Sequence, residues 1–166
     1  RDQLGWKVKE DAGRGWRRLV PSPLPLRVIQ RHMIRDAVRQ GHIVVACGGG
    51  GIPVKRLPDG QFAGLEAVSD KDLTSSVLAT DVGAALLVIL TAVPQVYVGH
   101  GTKEQRALGA VTLEEIERLQ AEGHFPPGSM GPKIEAVIRF LKAGGRRAPI
   151  TNPERLPQAT AGRAGP

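Results

Sequence analysis

Cysteine and aromatic residues are scarce in this chain of 166 residues, which has a single cysteine, Cys47, and 4% aromatics. One cysteine excludes an internal disulfide, so we expect a reducing, cytoplasmic setting. The lack of aromatics argues against the stacking platforms that bind single-stranded nucleic acid. No apolar run reaches the roughly 18 residues of a membrane-spanning helix, and the N-terminus lacks the apolar core of a signal peptide. We therefore expect no nucleic-acid partner and no membrane partner.

Aliphatic residues, glycine and proline are plentiful instead. Hydrophobic residues make up 41% of the chain, which is enough for one domain with an aliphatic core, and 21 glycines and 13 prolines indicate many tight turns. The net charge of +7 suits an anionic metabolite, a nucleic acid or simply a basic surface. Because the basic residues are spread out without interleaved aromatics, the nucleic acid is disfavoured.

Composition divides the chain into three parts. Residues 1–26 are polar and then rich in proline, and we interpret them as a connector or surface arm. Residues 27–151 carry the helical periodicity and apolar runs expected of a folded domain. Residues 152–166 form a small, polar tail.

Two apolar runs, Ile43–Cys47 and Ala85–Thr91, predict buried strands, because they do not alternate with polar residues and are separated by helical segments. A third run, Ala148–Thr151, resembles a last strand, which Pro149 would confine to a sheet edge or to a strand start. A Pro58-Asp59-Gly60 turn between two short extended pieces predicts a hairpin. Buried strands separated by helices indicate an α/β fold with a mainly parallel sheet covered on both faces, which binds ligands beyond the carboxyl ends of its strands.

Helices are predicted from residue 27, at Asp70, at Thr112 and after Ser129. The first has Ile29, Met33 and Val38 about one turn apart and ends before Gly41. Thr112 and Glu115 form a capping box, whose helix buries Leu113, Ile116 and Leu119. The last helix has the clearest apolar face, formed by Ile134, Val137, Ile138 and Leu141, and it stops at Gly144.

Four consecutive glycines follow the first predicted strand: Gly48, Gly49, Gly50 and Gly51. Glycine loses more backbone freedom on folding than any other residue, so ordering four of them is costly. Bare backbone at a strand end lets N–H groups converge on an anion. The run matches neither the Walker loop nor the dinucleotide fingerprint, because Pro53 and the hairpin come next. A close backbone crossing without a ligand is the alternative interpretation.

Two lysines lie at predicted helix starts, where free N–H groups favour anions. Lys71 stands between Asp70 and Asp72, either of which could simply cap the helix. Lys133 follows Ser129, which could equally be an ordinary N-cap beside a solvated lysine. With the glycine run, these make three candidate anion-binding elements at junctions of one domain.

Neither a metal site nor a nucleophile is indicated by the remaining reactive residues. His32, His42, His100 and His124 show no metal-ligand spacing with Cys47. The chain contains no nucleophile elbow, and Cys47 fits a small apolar residue better than a nucleophile.

Five segments stand in a fixed order between about Lys9 and Thr151: KEDAGRGWRRLVPSP, ACGGGGIPV, GLEAVSDKDL, LLVILT and FPPGSMGPKIEAVIRF. In this order and spacing they resemble carbamate kinase, a member of the amino acid kinase superfamily. The resemblance implies a three-layer αβα fold that is incomplete here, because full-length members have an N-terminal half that this chain lacks. It implies the reversible reaction ATP + carbamate ⇌ ADP + carbamoyl phosphate with Mg²⁺, run by cytoplasmic homodimers in arginine breakdown.

The resemblance also implies roles for individual residues. It places Lys71 against the transferring phosphoryl group and Lys133 against the nucleotide phosphates, with Asp72 holding the two lysines in position. It brings the glycine run close to the active site, where only glycine lets the main chain approach the phosphates. The nucleotide-binding residues that it implies are Asp70, Thr91, Ala92, Val93, Tyr97, Ser129, Met130 and Gly131.

The segment after LLVILT departs from the family pattern. Pro94 replaces a common acid and removes a backbone donor near the expected nucleotide site. Two alternatives therefore stay open beside carbamate kinase. One is a kinase of the same superfamily with another small acid as acceptor, and the other is a non-catalytic nucleotide-binding remnant, which Ala92 and Pro94 favour. We expect these residues alone to have little or no activity.

Overall fold

The computed structural model describes residues 5–10 and 15–162. The helices are α1 (Arg31–Arg39), α2 (Lys71–Val82), α3 (Leu113–Ala121), α4 (Met130–Lys142) and α5 (Leu156–Thr160), with a 3₁₀ turn at Pro153–Arg155. The strands are β1 (Val8–Glu10), β2 (Trp16–Arg18), β3 (Val54–Arg56), β4 (Phe62–Gly64), β5 (Ile89–Leu90), β6 (Tyr97–Val98), β7 (Arg106–Ala107) and β8 (Ile150–Thr151). Within the described ranges, no helix has both the length and the apolar character that a membrane crossing requires.

Helix α4 lies at the centre of the core, where it packs against α2 and α3. Its predicted apolar face is confirmed at Ile134, Val137 and Ile138, which are all buried, while Leu141 is half-buried. Phe140 extends this face and is 1% exposed. Burying such side chains is the main favourable contribution to folding, so the core of this structure is built around one helix.

The predicted boundaries of α3 and α4 are confirmed. Thr112 caps α3, because its hydroxyl oxygen accepts a hydrogen bond from the Glu115 N–H at 3.2 Å. Hydrogen bonds from its own backbone N–H and from the Thr112 side chain lower the pKa of the Glu114 carboxyl. Gly144 follows α4 with φ +98°, the left-handed conformation that ends many helices.

Strands β5 and β8 form a parallel pair, with Ile89 opposite Ile150 and Leu90 opposite Thr151. Two of the three predicted strands, Ala85–Thr91 and Ala148–Thr151, are therefore confirmed in shortened form. The other three pairs among the described residues, β1–β2, β3–β4 and β6–β7, are antiparallel ribbons of two strands. The β3–β4 ribbon is the hairpin predicted around Pro58-Asp59-Gly60. The helices and the parallel pair agree with an α/β fold, although the parallel sheet formed by the described residues has two strands.

The prediction of a buried strand at Ile43–Cys47 is wrong for this chain. The segment belongs to no strand, and Ile43 and Val45 are 98% and 95% exposed. Val44, Ala46 and Cys47 are half-buried. A strand needs a neighbour to hydrogen-bond with, and none of the described residues supplies one here.

Helix α1 confirms the helix predicted from residue 27, although it begins at Arg31. Its predicted apolar positions are largely solvent-exposed: Ile29 just before the helix is 43% exposed, Met33 is 74% exposed and Val38 is 46% exposed. Helix α1 packs on α2. Its other face is exposed to solvent, so α1 is held in place mainly by this one neighbouring helix.

Both terminal segments contain regular structure. In the predicted connector, β1 and β2 form an antiparallel ribbon. From β2, the Arg18 guanidinium lies 4.4 Å from the Trp6 ring centroid and 3.1 Å from the Glu66 carboxylate. In the predicted tail, α5 buries Ala159, which is 1% exposed. The division of the chain at residues 26 and 151 stays a prediction.

Candidate phosphate-binding site

Helices α2 and α4 begin side by side, and this packing brings together charged residues from two distant parts of the sequence. Lys71 and Asp72 are the first two residues of α2, and Lys133 lies in the first turn of α4. The Nζ atom of Lys133 is 2.7 Å from Oδ2 of Asp72. The Nζ atom of Lys71 is 3.8 Å from the same oxygen. One carboxylate therefore faces two ammonium groups.

The two lysines of this cluster differ in exposure. The side chains of Asp72 and Lys133 are 10% and 12% exposed, whereas that of Lys71 is 60% exposed. A nearly buried carboxylate and ammonium need each other as partners, because an unpaired charge there would be strongly destabilising. Lys71 has no such constraint, and its ammonium can reach a ligand from solvent. The cluster keeps one positive charge in excess, which suits an anion.

Asp70 is the N-cap of α2. Its carboxylate oxygen accepts hydrogen bonds from the N–H groups of Asp72 at 2.9 Å and Leu73 at 3.0 Å. Of the two aspartates that could have capped this helix, Asp70 does so, and Asp72 is left to pair with the lysines. The capping role of Asp70 is sufficient to account for its position, and nucleotide binding by Asp70 stays a prediction.

The glycine run forms a tight loop whose backbone is largely left-handed. The φ values of Gly48, Gly50 and Gly51 are +47°, +132° and +88°, and Cys47 before them has φ +65°. Gly50 is buried, and a Cβ atom there would lie 2.1 Å from the Ser69 carbonyl oxygen. Glycine is therefore required at Gly50 both by conformation and by space.

Thr74 joins the glycine loop to the start of α2, and sequence reasoning missed it. Its Oγ1 lies 3.0 Å from the Gly50 carbonyl oxygen and 2.8 Å from the Asp70 carbonyl oxygen, so its proton can be donated to either. Thr74 is buried. The loop is thus fixed beside the helix turn that carries Lys71 and Asp72. The sequence could have indicated the bond of Thr74 to the carbonyl four residues earlier, because threonine in a helix often makes it. It could not have indicated the contact with Gly50, which depends on the fold.

The start of α4 lacks the side-chain cap that α2 has. Ser129 occupies the N-cap position but makes no capping hydrogen bond within the described chain, and its side chain is exposed. Met130 is half-buried. A Cβ atom on Gly131 would lie 3.0 Å from the Pro126 carbonyl oxygen, which accepts the Gly131 N–H. The interpretation of Ser129 as an ordinary N-cap is therefore wrong, because its side chain makes no capping hydrogen bond within the described chain. Its hydroxyl is available to a ligand.

The predicted nucleotide segment after β5 is tied to β8. The Thr91 N–H donates to the Thr151 carbonyl oxygen at 2.9 Å, and the buried Thr151 hydroxyl donates to the Pro94 carbonyl oxygen at 3.1 Å. Ala92 and Val93 form a bend between these bonds. No hydrogen bond or ion pair between described residues links this segment to the lysine cluster, so its part in the site stays a prediction.

Tyr97 begins β6 and is half-buried, with its ring centroid 6.2 Å from that of His100. The two rings are tilted by 59°. An offset, tilted pair of this kind is an ordinary aromatic contact. It leaves part of the Tyr97 ring accessible.

A resident metal is not supported by the described side chains, which include no group of three or more histidine, cysteine, aspartate or glutamate residues in metal-binding proximity. Asp72, the acidic residue of the cluster, is engaged by two lysines. Cys47 next to the glycine loop is half-buried, and burial raises the pKa of its thiol. A raised thiol pKa opposes a nucleophilic role.

The sequence profile described as the Amino acid kinase family matches residues 5–152. Among curated proteins, carbamate kinase from Pyrococcus horikoshii is 50% identical over 98% of this chain, and carbamate kinase from Staphylococcus haemolyticus is 42% identical over 99%. The carbamate kinase-like protein YahI from Escherichia coli is 46% identical over 96%. This chain covers 52%, 53% and 51% of these three relatives, so it spans about half the length of the curated relatives that it matches.

Solved structures agree with the sequence comparison. Carbamate kinase from Giardia lamblia bound to AMP-PNP superposes with a TM-score of 0.90 at 39% identity, over 99% of this chain and 52% of that one. A protein from Aeropyrum pernix superposes with a TM-score of 0.89 at 46% identity, over 99% and 53%. These similarities confirm the predicted resemblance to carbamate kinase and the predicted amino acid kinase-like, incomplete α/β fold.

Proposed function

The chain belongs to the amino acid kinase family, and from this premise we propose that it is the phosphate-binding part of a carbamate kinase. In the direction that forms ATP, the bond between phosphorus and the carbamoyl oxygen breaks, and a terminal oxygen of ADP forms the new bond to phosphorus. Carbamate leaves with the electron pair of the broken bond. The proposal rests on similarity to half of each relative, so it concerns the activity of a full-length protein.

The observation that carries this proposal is the convergence of Lys71 and Lys133 on Asp72 beside the glycine loop. Phosphoryl transfer asks little covalent chemistry of a protein and depends on positioning and on positive charge at the oxygens being transferred. We assign Lys71, whose ammonium is exposed, to the transferring phosphoryl group. We assign Lys133 to the nucleotide phosphates, and Asp72 to positioning both ammonium groups.

The glycine loop completes the phosphate-binding surface. Gly48, Gly49, Gly50 and Gly51 place bare backbone beside the start of α2, because the Thr74 hydroxyl links Gly50 to that turn. A side chain at Gly50 would collide with the Ser69 carbonyl. This supports an approach of main-chain N–H groups to the oxygens of carbamoyl phosphate.

Nucleotide binding is assigned to the segments that follow β5 and open α4. The residues concerned are Thr91, Ala92, Val93 and Tyr97 in the first segment, and Ser129, Met130 and Gly131 in the second, with Asp70 at the start of α2. The unbonded Ser129 hydroxyl and the partly accessible Tyr97 ring support this assignment. The Giardia lamblia carbamate kinase bound to AMP-PNP supports a nucleotide site in the full-length protein.

Mg²⁺, which the family resemblance implies, finds no ligand cluster among the described residues. We therefore derive no step through the metal and assign the charge compensation in this part of the site to the two lysines. The cytoplasmic homodimer and the role in arginine breakdown are likewise proposals that rest on the resemblance alone.

The test is formation of ATP from ADP and carbamoyl phosphate with Mg²⁺ added. It compares this chain alone with a joined chain, in which the chain is fused to the part of the Pyrococcus horikoshii carbamate kinase that it does not match. We expect activity only in the joined chain, because one missing group of transition-state donors costs about 100- to 1,000-fold in rate and here several are absent.

The same assay with acetyl phosphate in place of carbamoyl phosphate tests which small acid the enzyme phosphorylates in the reverse direction. Equal or higher activity with acetyl phosphate would overturn the assignment to carbamate, and a folded but inactive joined chain that still binds ATP would support a non-catalytic remnant.

A further inference from the structure

A cavity of about 230 Å³ lies between α3, α4, α5 and the residues that lead into β8. The larger apolar side chains of its lining are those of Ile116, Ile134, Val137, Leu141 and Ile150. These walls belong to the core, since Ile134 and Ile150 are each 1% exposed. Protein interiors are close-packed and contain few voids larger than a water molecule. An apolar space of this size is therefore a candidate ligand site.

The cavity is separate from the phosphate-binding site, although both use α4. Ile134, Val137 and Leu141 line the cavity and recur every three or four residues, so they form one face of the helix. Lys133 lies on another face, where its ammonium contacts Asp72 of α2. Neither charged residue is part of the cavity lining. A ligand in the cavity would thus not compete directly with phosphate.

Two exposed arginines, Arg146 and Arg147, stand at the mouth of the cavity, and its described lining includes no acidic residue. The Arg147 guanidinium is occupied, because it donates to the carbonyl oxygens of Ala159 and Thr160 and so holds the end of α5 in place. The Arg146 guanidinium has no hydrogen-bond or ion-pair partner among the described residues. A free guanidinium beside an apolar space suits a carboxylate, which it can bind through two parallel hydrogen bonds.

We propose that this cavity binds a small apolar monocarboxylate of about the size of benzoate, with its apolar body among the aliphatic side chains and its carboxylate on Arg146. The volume sets the size of the ligand. An apolar cavity of about 150 Å³ in another protein takes up benzene, so 230 Å³ leaves room for one further small group. The arginines at the mouth set its charge. The proposal uses no residue of the lysine cluster and does not depend on the proposed catalytic activity.

Titration of this chain with benzoate, followed through the methyl NMR signals of Ile116, Ile134 and Ile150, tests the proposal. Benzyl alcohol is the neutral probe with the same ring, and acetate is the charged probe without it. We expect saturable shifts with benzoate, and an affinity at least about tenfold higher than for either probe, because only benzoate uses both the apolar space and the guanidinium. No saturable shift at these methyl groups would overturn the proposal. Shifts confined to the backbone amides of Lys71 and the glycine run would place benzoate at the phosphate-binding site and would also overturn it.

Two substitutions at exposed positions separate the charge from the apolar space. Arg146→Gln is expected to weaken benzoate binding about tenfold and to leave benzyl alcohol binding unchanged, because it removes only the cation. Arg39→Gln, at the exposed end of α1, is the matched control and should change neither. Benzoate binding that is unchanged by Arg146→Gln, or equally weakened by Arg39→Gln, would contradict the assignment of Arg146.

Ala110→Phe tests the space itself, since Ala110 lines the cavity and is exposed at its mouth. The added ring should weaken the binding of benzoate and of benzyl alcohol alike by about tenfold or more, because it occupies volume that both ligands need. Unchanged binding of both ligands to this variant would show that they lie elsewhere and would overturn the proposal. These readouts use no nucleotide, so they are independent of any kinase activity.

Discussion

The Nζ atom of Lys133 lies 2.7 Å from Oδ2 of Asp72, and this contact joins two helix starts that are 61 residues apart in sequence. Both side chains are nearly buried, and both sit where helix dipoles present positive charge. Asp72 is therefore the counter-charge that allows two ammonium groups to approach each other. The stability of the chain and the proposed binding of phosphate therefore both depend on this one carboxylate.

Lys133→Met is expected to lower the free energy of unfolding by about 3 kcal/mol, because it leaves the Asp72 carboxylate nearly buried without its close partner. Lys71→Met is the matched control. Its ammonium is 3.8 Å from the same oxygen but its side chain is largely exposed, so we expect a loss below about 1 kcal/mol. Urea denaturation followed by circular dichroism measures both values. Equal losses in the two variants would contradict the structural ranking of the two lysines.

Gly50→Ala is expected to destabilise the chain by about 2 kcal/mol or more, since alanine is strained at φ +132° and its Cβ would meet the Ser69 carbonyl. Gly49→Ala, one position earlier, serves as control. A Cβ there has nothing within 4 Å, so the change should stay within about 0.5 kcal/mol. Thermal unfolding of the two variants compares them directly, and a harmless Gly50→Ala would show that the loop does not pack against Ser69 in solution.

Thr74→Val is expected to destabilise the chain by about 1 to 3 kcal/mol, because it leaves the buried carbonyl of Gly50 without a donor. Thr74→Ser keeps the hydroxyl and should retain most of the stability. Hydrogen exchange of the Gly48–Gly51 amides should also accelerate in the valine variant only. Indistinguishable exchange in the two variants would remove Thr74 from its positioning role.

Alkylation of Cys47 by iodoacetamide is expected to show a pH midpoint above the roughly 8.5 of an ordinary thiol, since burial raises the pKa in the folded chain. The urea-unfolded chain should return to the ordinary midpoint. The sign for stability follows from the raised pKa: the thiol favours folding below its unfolded pKa, and this contribution is lost as the pH rises through its folded pKa. A folded midpoint at or below the unfolded one would place Cys47 in a more polar environment than the structure does.

Local sequence patterns predicted the helices well, since helix starts and stops depend on a few neighbouring residues such as Thr112, Glu115 and Gly144. The strand at Ile43–Cys47 was wrong because strand pairing is non-local, and an apolar run cannot form a sheet when its neighbours are absent from the described chain.

The candidate site shows the same division between local and long-range signals. A lysine at a helix start and a run of glycines were visible as possible anion-binding elements. The contact of Lys133 with Asp72, and the bond of Thr74 with Gly50, depend on how α2 packs against α4 and against the glycine loop. No sequence spacing encodes those contacts. Only the resemblance to carbamate kinase suggested that Asp72 holds the lysines.

The most direct test of the proposed catalytic role is the rate of ATP formation from carbamoyl phosphate and ADP by the joined chain carrying Lys71→Ala, with Lys142→Ala as control. Lys142 pairs with Glu117 at the far end of α4, away from the cluster. We predict that Lys71→Ala lowers kcat by about 100- to 1,000-fold, as expected for loss of one charge-stabilising group, and that Lys142→Ala leaves kcat within about twofold. Wild-type-like kcat in the Lys71→Ala variant would contradict the assignment of Lys71 to the transferring phosphoryl group.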